Sequence, residues 1–383
     1  FGISIDANDN VYLSDSWNYV VRKITPRKTT LKVPSEYASI QAAISYAITG
    51  DTVLVDSGTY YESVTINDSK SGIILMGVNP KTTIIDGNKI NRTLLIDGSH
   101  NNVIKNLTFQ NGLNVDNTSH GGGGIKISNA ENTFLENLVL KNNISDGNGS
   151  AIGIELEPAQ KPTNIINVLA YNNSSKANTL FSYGGKTNII NSTFINNGEN
   201  DIHIVDRCCD QGESRIRVLN SIIGGGIRKG YDESKPNTSF FIAVNSYLGR
   251  RDTLRYNSQD IVSASNEHFE MIPGNNYVLA PIFVDSANGD YRLADYSPGI
   301  GYGKLSYSMD EITLTAPSSD LVGGVRSSSV KPDIGAYENQ YDTPQNAPPV
   351  LTALQDVSVN EDESITVTVE AINANNLDSD PIS

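Results

Sequence analysis

The sequence predicts an all-β fold, a parallel β-helix, and three observations carry the prediction. A short phrase opening on asparagine returns along the middle of the 383-residue chain. It reads Asn106-Leu-Thr-Phe109-Gln-Asn111, Asn137-Leu-Val-Leu140-Lys-Asn142 and Asn167-Val-Leu-Ala170-Tyr-Asn172, then Asn191-Ser-Thr-Phe194-Ile-Asn196, with looser copies at Asn220 and Asn245. The leading asparagines lie 31, 30, 24, 29 and 25 residues apart, a period that belongs to repeat architectures. Second, each unit holds apolar runs too short for helices, rich in β-branched residues and bordered by turn residues, which read as strands. Third, no unit carries a helical segment or the fixed leucine frame of a leucine-rich repeat. One strand–turn–strand coil cannot bury its own inner face, but stacked coils share a continuous core.

The recurrent asparagine has a physical reason. It tolerates the left-handed backbone of a tight corner, and its amide bonds to neighbouring backbone. Asparagines at one corner of successive coils are therefore expected to stack and bond to each other. A loop-rich β-sandwich that favours asparagine is the competing reading of the same composition.

Charge and cysteine usage narrow the function classes. A net charge of −15 and a pI of about 4.7 leave no basic face for nucleic acid, and they suit a protein that binds Ca²⁺, the candidate cofactor. No apolar run reaches the roughly 18 residues of a membrane span. The only cysteines, Cys208 and Cys209, are neighbours. They cannot staple distant segments, so they read as small thiols. A zinc site would need further ligands, and only His203 is close.

Along the chain, residues 1–28 read as a leftover piece of another repeat. Gly2-Ile-Ser-Ile-Asp6, Asn10-Val-Tyr-Leu-Ser-Asp15 and Asn18-Tyr-Val-Val-Arg22-Lys resemble one blade of an NHL-type β-propeller. The Asp6–Asn10 cluster reads as a hairpin turn rather than a calcium loop. Pro34-Ser35-Glu36 opens the one helix, with Ser35 the expected N-cap. Ile40, Ala43, Ile44, Ala47 and Ile48 share its apolar face, and Gly50 stops it. Such a helix, placed before the first coils, would cover the open end of the solenoid.

Residues 31–88 carry a sharper resemblance. Ser39-Ile-Gln-Ala-Ala-Ile44, Gly50-Asp-Thr-Val-Leu-Val55, Gly58-Thr-Tyr60, Ile74-Leu-Met-Gly77 and Thr83-Ile-Ile-Asp-Gly87 resemble the opening coils of pectin methylesterases and related pectate-lyase-like β-helices. The resemblance implies a right-handed β-helix, which also agrees with the general preference for right-handed crossovers. It does not imply esterase activity: that family's Q-A-V-A-L, Q-D-T-L and G-x-V-D-F-I-F-G segments are missing between Asn101 and Gly249. Further on, Phe283-Val-Asp, Gly289-Asp-Tyr-Arg-Leu293, Ser297-Pro-Gly-Ile300 and Pro332-Asp-Ile-Gly-Ala-Tyr-Glu338 resemble the closing segment of secreted bacterial β-helix proteins of the choice-of-anchor type. That likeness implies a cap and a secreted or cell-surface location. Prolines at 344, 348 and 349 mark a linker over 343–349. Residues 350–383 resemble the first strands of a cadherin-like or immunoglobulin-like repeat, in which Asp378 and Asp380 would lie near a calcium site. The expected organisation is thus a propeller fragment (1–28), a β-helix (29–342), the linker, and the start of a β-sandwich repeat, within a longer chain that is otherwise monomeric.

Strand alternation places the candidate chemistry. Ile125 and Ile127 point inward, so Lys126 points out; the same logic turns Glu155 and His203 outward. On one sheet the three would form a polar row facing several sugar units. Polysaccharide lyases of the resembled fold use Lys, Arg or His as a base and neutralise a uronate with Ca²⁺ or Arg. Here Asp201, Asp206, Arg207 and Arg228 are the candidates for substrate binding. Outward positions on an exposed sheet are also polar for no functional reason. Two functions follow: a surface module that binds polysaccharide or mediates adhesion without catalysis, or a polysaccharide lyase or glycosidase.

Overall fold

The computed structural model describes residues 2–7, 10–24, 27, 29–115, 121–157, 160–198, 200–205, 214–230, 240–249, 255–256, 259–260, 269–271, 279–309, 312–326, 331–346, 349–351 and 371–373. Asp206, Arg207, Asp378 and Asp380 lie outside them, as do His120, the Cys208–Cys209 pair and most of the predicted cadherin-like strands.

The middle of the chain is a right-handed parallel β-helix. The coils supply one strand to a nine-stranded sheet and then one long or two short strands to a larger one. In the nine-stranded sheet Val64–Asn67, Leu94–Asp97, Ile125–Ser128, Ile152–Glu155, Leu180–Tyr183, Asn200–Val205 and Gly226–Gly230 stack in parallel. Their inward residues form continuous columns: Val64, Leu94, Ile125, Ile152, Leu180, Ile202 and Ile227 are all at most 2% exposed. On the large sheet the column Phe109, Leu140, Ala170, Phe194, Ile223 runs in register, with small Ala170 beside bulky Phe194. At roughly 1.5–3 kcal/mol per buried side chain, these columns supply what no single coil can.

The corner between the two strands of the large sheet is where the asparagines sit. Asn106, Asn137, Asn167, Asn191, Asn220 and Asn245 all have φ between 45° and 58°. Their amides bond from coil to coil, Asn137 Nδ2 to Asn106 Oδ1 and Asn167 Nδ2 to Asn137 Oδ1, each at 3.0 Å. The predicted ladder is present. A second amide ladder runs inside the solenoid, from Asn143 to Asn173 to Asn197.

The helix spans Ile40–Tyr46 and packs on the first strands, burying Ile40, Ala43 and Ile44. Its N-cap is Ser39, whose Oγ accepts from Ala42 N, and not the expected Ser35. Glu62 explains the shift: its carboxylate accepts from the free amides of Ile40 and Gln41 at 3.0 and 3.1 Å. Ile48 lies beyond the helix and is exposed. Ile3–Ile5, Val11–Asp15 and Val20–Ile24 form an antiparallel three-stranded meander. Asp6 accepts from Asn10 and Tyr12 within its hairpin, which uses the carboxylate locally as the turn reading expects.

The described residues of the C-terminal segment, within 279–346, pack along the flank of the solenoid. Met309 and Leu314 cover Ile190, Leu219 and Val244; Tyr291, Leu321 and Ala336 cover Leu169; Leu293, Ile300 and Ile334 cover Ile222. The outward positions of the large sheet become apolar along these coils, and the segment buries them. We call it the clasp. The described residues hold no helix long and apolar enough to cross a membrane.

Candidate functional site

The register on the outer face of the nine-stranded sheet splits the predicted polar row in two. Lys126 pairs with Gly153, then Phe181, His203 and Arg228. Glu155 belongs to the next row, beside Ser128 and Tyr183. The two rows adjoin, and Lys126 Nζ still reaches Glu155 Oε2 at 3.1 Å.

The Lys126–His203 row is not an open surface. Lys126 is 7% exposed and His203 8%, because the segments that lead into each strand fold over the floor. A Cβ on Gly153 would meet the carbonyl carbon of Gly121 at 2.7 Å, so the glycine is required for this closure. Burial lowers the Lys126 ammonium below its ordinary value, and the Glu155 carboxylate offsets only part of that. Lys126 is held in an ion pair with the part-buried Glu155.

His203 can be assigned a tautomer. Gly149 N donates to Asn178 Oδ1 at 2.9 Å, which fixes the orientation of that amide. Asn178 Nδ2 therefore faces His203 Nδ1, 3.1 Å away, and donates to it. Nδ1 is the acceptor, so Nε2 carries the proton. Nε2 is buried with no hydrogen-bond partner among the described residues. Burial, assisted by the Arg228 charge, lowers the imidazole to about 3. At neutral pH this group is a hydrogen-bond donor with no free lone pair. Phe181 lies edge-on to it, with centroids 5.2 Å apart.

Asp201 does not face a ligand. It is 1% exposed and closes the inner amide ladder, accepting from Asn197 Nδ2, Thr179 Oγ1 and Gly225 N. Burial raises its carboxyl. The alternation rule fails here because a register irregularity falls between Asn200 and Ile202. Arg228 joins the His203 row and is half-buried. Among the described residues no group of three His, Cys, Asp or Glu could hold a metal ion.

A second candidate site was not read from the sequence. A groove of about 400 Å³ opens between the large sheet and the clasp. Its floor is the outward row Ile84, Thr108, Val139 and Leu169, in register on adjacent coils. Lys141 and Tyr171 stand on the next row, and the clasp adds Tyr337 with the hairpin 283–293. Arg292 grips Asp290 with two bonds, Nε to Oδ1 at 2.9 Å and Nη2 to Oδ2 at 2.6 Å, holding that carboxyl below its usual range. Burial raises both tyrosines. A signal was present: Gln110, Lys141, Tyr171 and Ile195 occupy the same place in the repeated phrase. Only the clasp, far along the chain, turns them into a wall.

No family model matches the chain and no curated protein matches it. Among solved structures the chain is similar to a pectin methylesterase from Erwinia chrysanthemi, at 12% identity over 59% of this chain and 80% of that one, with a TM-score of 0.38. A pectin methylesterase from carrot shares 11% identity over 65% and 89%, with a TM-score of 0.36. Pectate lyase Pel9A shares 16% identity over 78% and 90%, with a TM-score of 0.39. The fold of this chain stands on its own strand pairings, and neither activity is carried over from these proteins.

Proposed function

We propose that the β-helix is a glycan-binding module of a secreted or cell-surface protein and that it does not turn its ligand over. The carrying observation is the state of the two candidate bases: Lys126 is held by Glu155, and His203 keeps its proton on Nε2 through the bond from Asn178. A lyase needs a proton acceptor within reach of the sugar, and neither group supplies one. Binding is supported by the outer row of the same sheet, where Asp97, Ser128, Glu155 and Tyr183 follow one another coil by coil. Rungs about 4.8 Å apart present carboxylates and hydroxyls that pair with sugar hydroxyls. Tyr183, stacked on Phe181 with centroids 6.4 Å apart, offers a ring edge to the same chain.

The test is a glycan panel on the full chain, with and without Ca²⁺, following unsaturated-uronate absorbance, reducing ends and binding. Binding without turnover is expected, with affinity falling about tenfold in Tyr183→Ala, the loss of roughly 1.4 kcal/mol. Turnover abolished by His203→Ala would establish the lyase reading instead. Neither binding nor turnover would leave a structural stalk.

A further inference from the structure

The groove beneath the clasp lies on a different sheet from that glycan row, and we propose that it binds an anionic sugar ring, its charge a carboxylate or a sulfate. Charge is the first reason. The chain carries a net −15, yet Lys81, Lys141 and Arg292 line this groove against the single carboxylate of Asp290. Arg292 is already engaged by Asp290, and Lys81 lies near enough to the same carboxylate to help lower it. The Lys141 ammonium makes no hydrogen bond or ion pair with a described residue. It is half-buried on a wall of the groove, placed to meet an anionic ligand there.

Shape is the second reason. Ile84 and Val139 give an apolar floor, and Tyr171 and Tyr337 stand beside it. An apolar face flanked by tyrosines takes the C–H face of a pyranose, while the lysines take its charge. The volume, about 400 Å³, is near the lower end of small-ligand sites and suits one or two sugar rings. The tip of the hairpin packs against the same wall. Gly289 at its tip has φ +81°, and a Cβ there would stand 3.2 Å from the Tyr171 hydroxyl. The left-handed backbone and this close approach both favour glycine at the tip.

The experiment is calorimetric titration of the full chain at low salt with digalacturonate, a monosulfated galactobiose and neutral galactobiose. At least one anionic disaccharide is expected to bind, at least tenfold more tightly than the neutral one, with affinity falling as salt is added. Lys141→Gln, which keeps a long side chain and the fold, is expected to weaken that binding about tenfold. Which anionic disaccharide responds tells carboxylate from sulfate. Failure of both anionic ligands to bind, equal binding of galactobiose, or an unchanged affinity in a folded Lys141→Gln protein would overturn the proposal. Tyr183→Ala, on the other sheet, separates the two readings: it should leave this binding unchanged even where it abolishes binding along the outer glycan row.

Discussion

Asn167 holds its corner in two separable ways. Its backbone sits at φ 52°, where an alanine costs about 1–2 kcal/mol. Its amide donates to Asn137 Oδ1 at 3.0 Å and to the carbonyl of Ser319 at 2.7 Å, tying one coil to the next and the solenoid to the clasp. Asn167→Gly keeps the backbone and loses the amide, so it should cost about 1–2 kcal/mol in buried bonds. Asn167→Ala loses both and should cost about 2–4 kcal/mol. Denaturant unfolding of the two variants checks this. Equal losses would mean that the left-handed corner carries no strain. This residue type was legible in the sequence because its recurrence has a single economical cause. The placement of Glu155 was not. Lys126 and its true register partner Gly153 are 27 residues apart, whereas Lys126 and Glu155 are 29 apart, and coil length varies too much for the row to be counted off. Asp201 was misplaced for a related reason, since one irregular residue turns a side chain from solvent to core.

At the scale of elements, the clasp is held by charge as well as by apolar contact. Arg326 is buried and pairs with Glu338; its Nη2 also donates to the Gly335 carbonyl at 2.9 Å. Asp333 accepts from Gly301 N and Asn339 N, and burial beside Glu338 pushes its carboxyl up to about 7. The clasp's recurring polar residues, Asp333 and Glu338, are thus a packing device: they satisfy the backbone of a segment with little regular structure of its own. Glu338→Gln would remove the ion-pair partner of the buried guanidinium and should cost about 3–5 kcal/mol. Replacing both partners by apolar residues, as in Arg326→Met with Glu338→Leu, should cost clearly less than the sum of the singles. Thermal or denaturant unfolding of the cycle decides it, and strict additivity would show that the two groups are not coupled. The sequence announced this element through its motif. It could not announce the face it covers, because docking along the flank depends on outward apolar residues of four coils, Leu169, Ile190, Leu219 and Ile222 among them. Those are the residues that strand alternation alone assigns to solvent.

At the scale of the molecule, coil and clasp obey different rules. A solenoid contacts only its neighbours, so its stability is close to a sum over coils and interfaces. Removing one whole coil in register should therefore shorten it without unfolding it. The clasp reads several coils at once: Asn167 donates to Ser319, Asn191 to Asp333, Asn220 to Lys304 and Asn245 to Tyr302. These four contacts fix the spacing of the corners. Deleting residues 106–136 joins Lys105 to Asn137, which takes over the position of Asn106, and leaves the four asparagine contacts to the clasp in place. Deleting 191–219 joins Ile190 to Asn220 in the same way, yet it removes the partner of Asp333 and draws the remaining corners one rung closer. The first variant should fold with amides at 333–339 as slow to exchange as in the parent chain. The second should keep its solenoid signature while those amides lose protection and the apolar flank under the clasp becomes exposed. Hydrogen exchange read by mass spectrometry distinguishes them. Equal protection in both would mean that the clasp holds by local contacts alone and does not measure the coils.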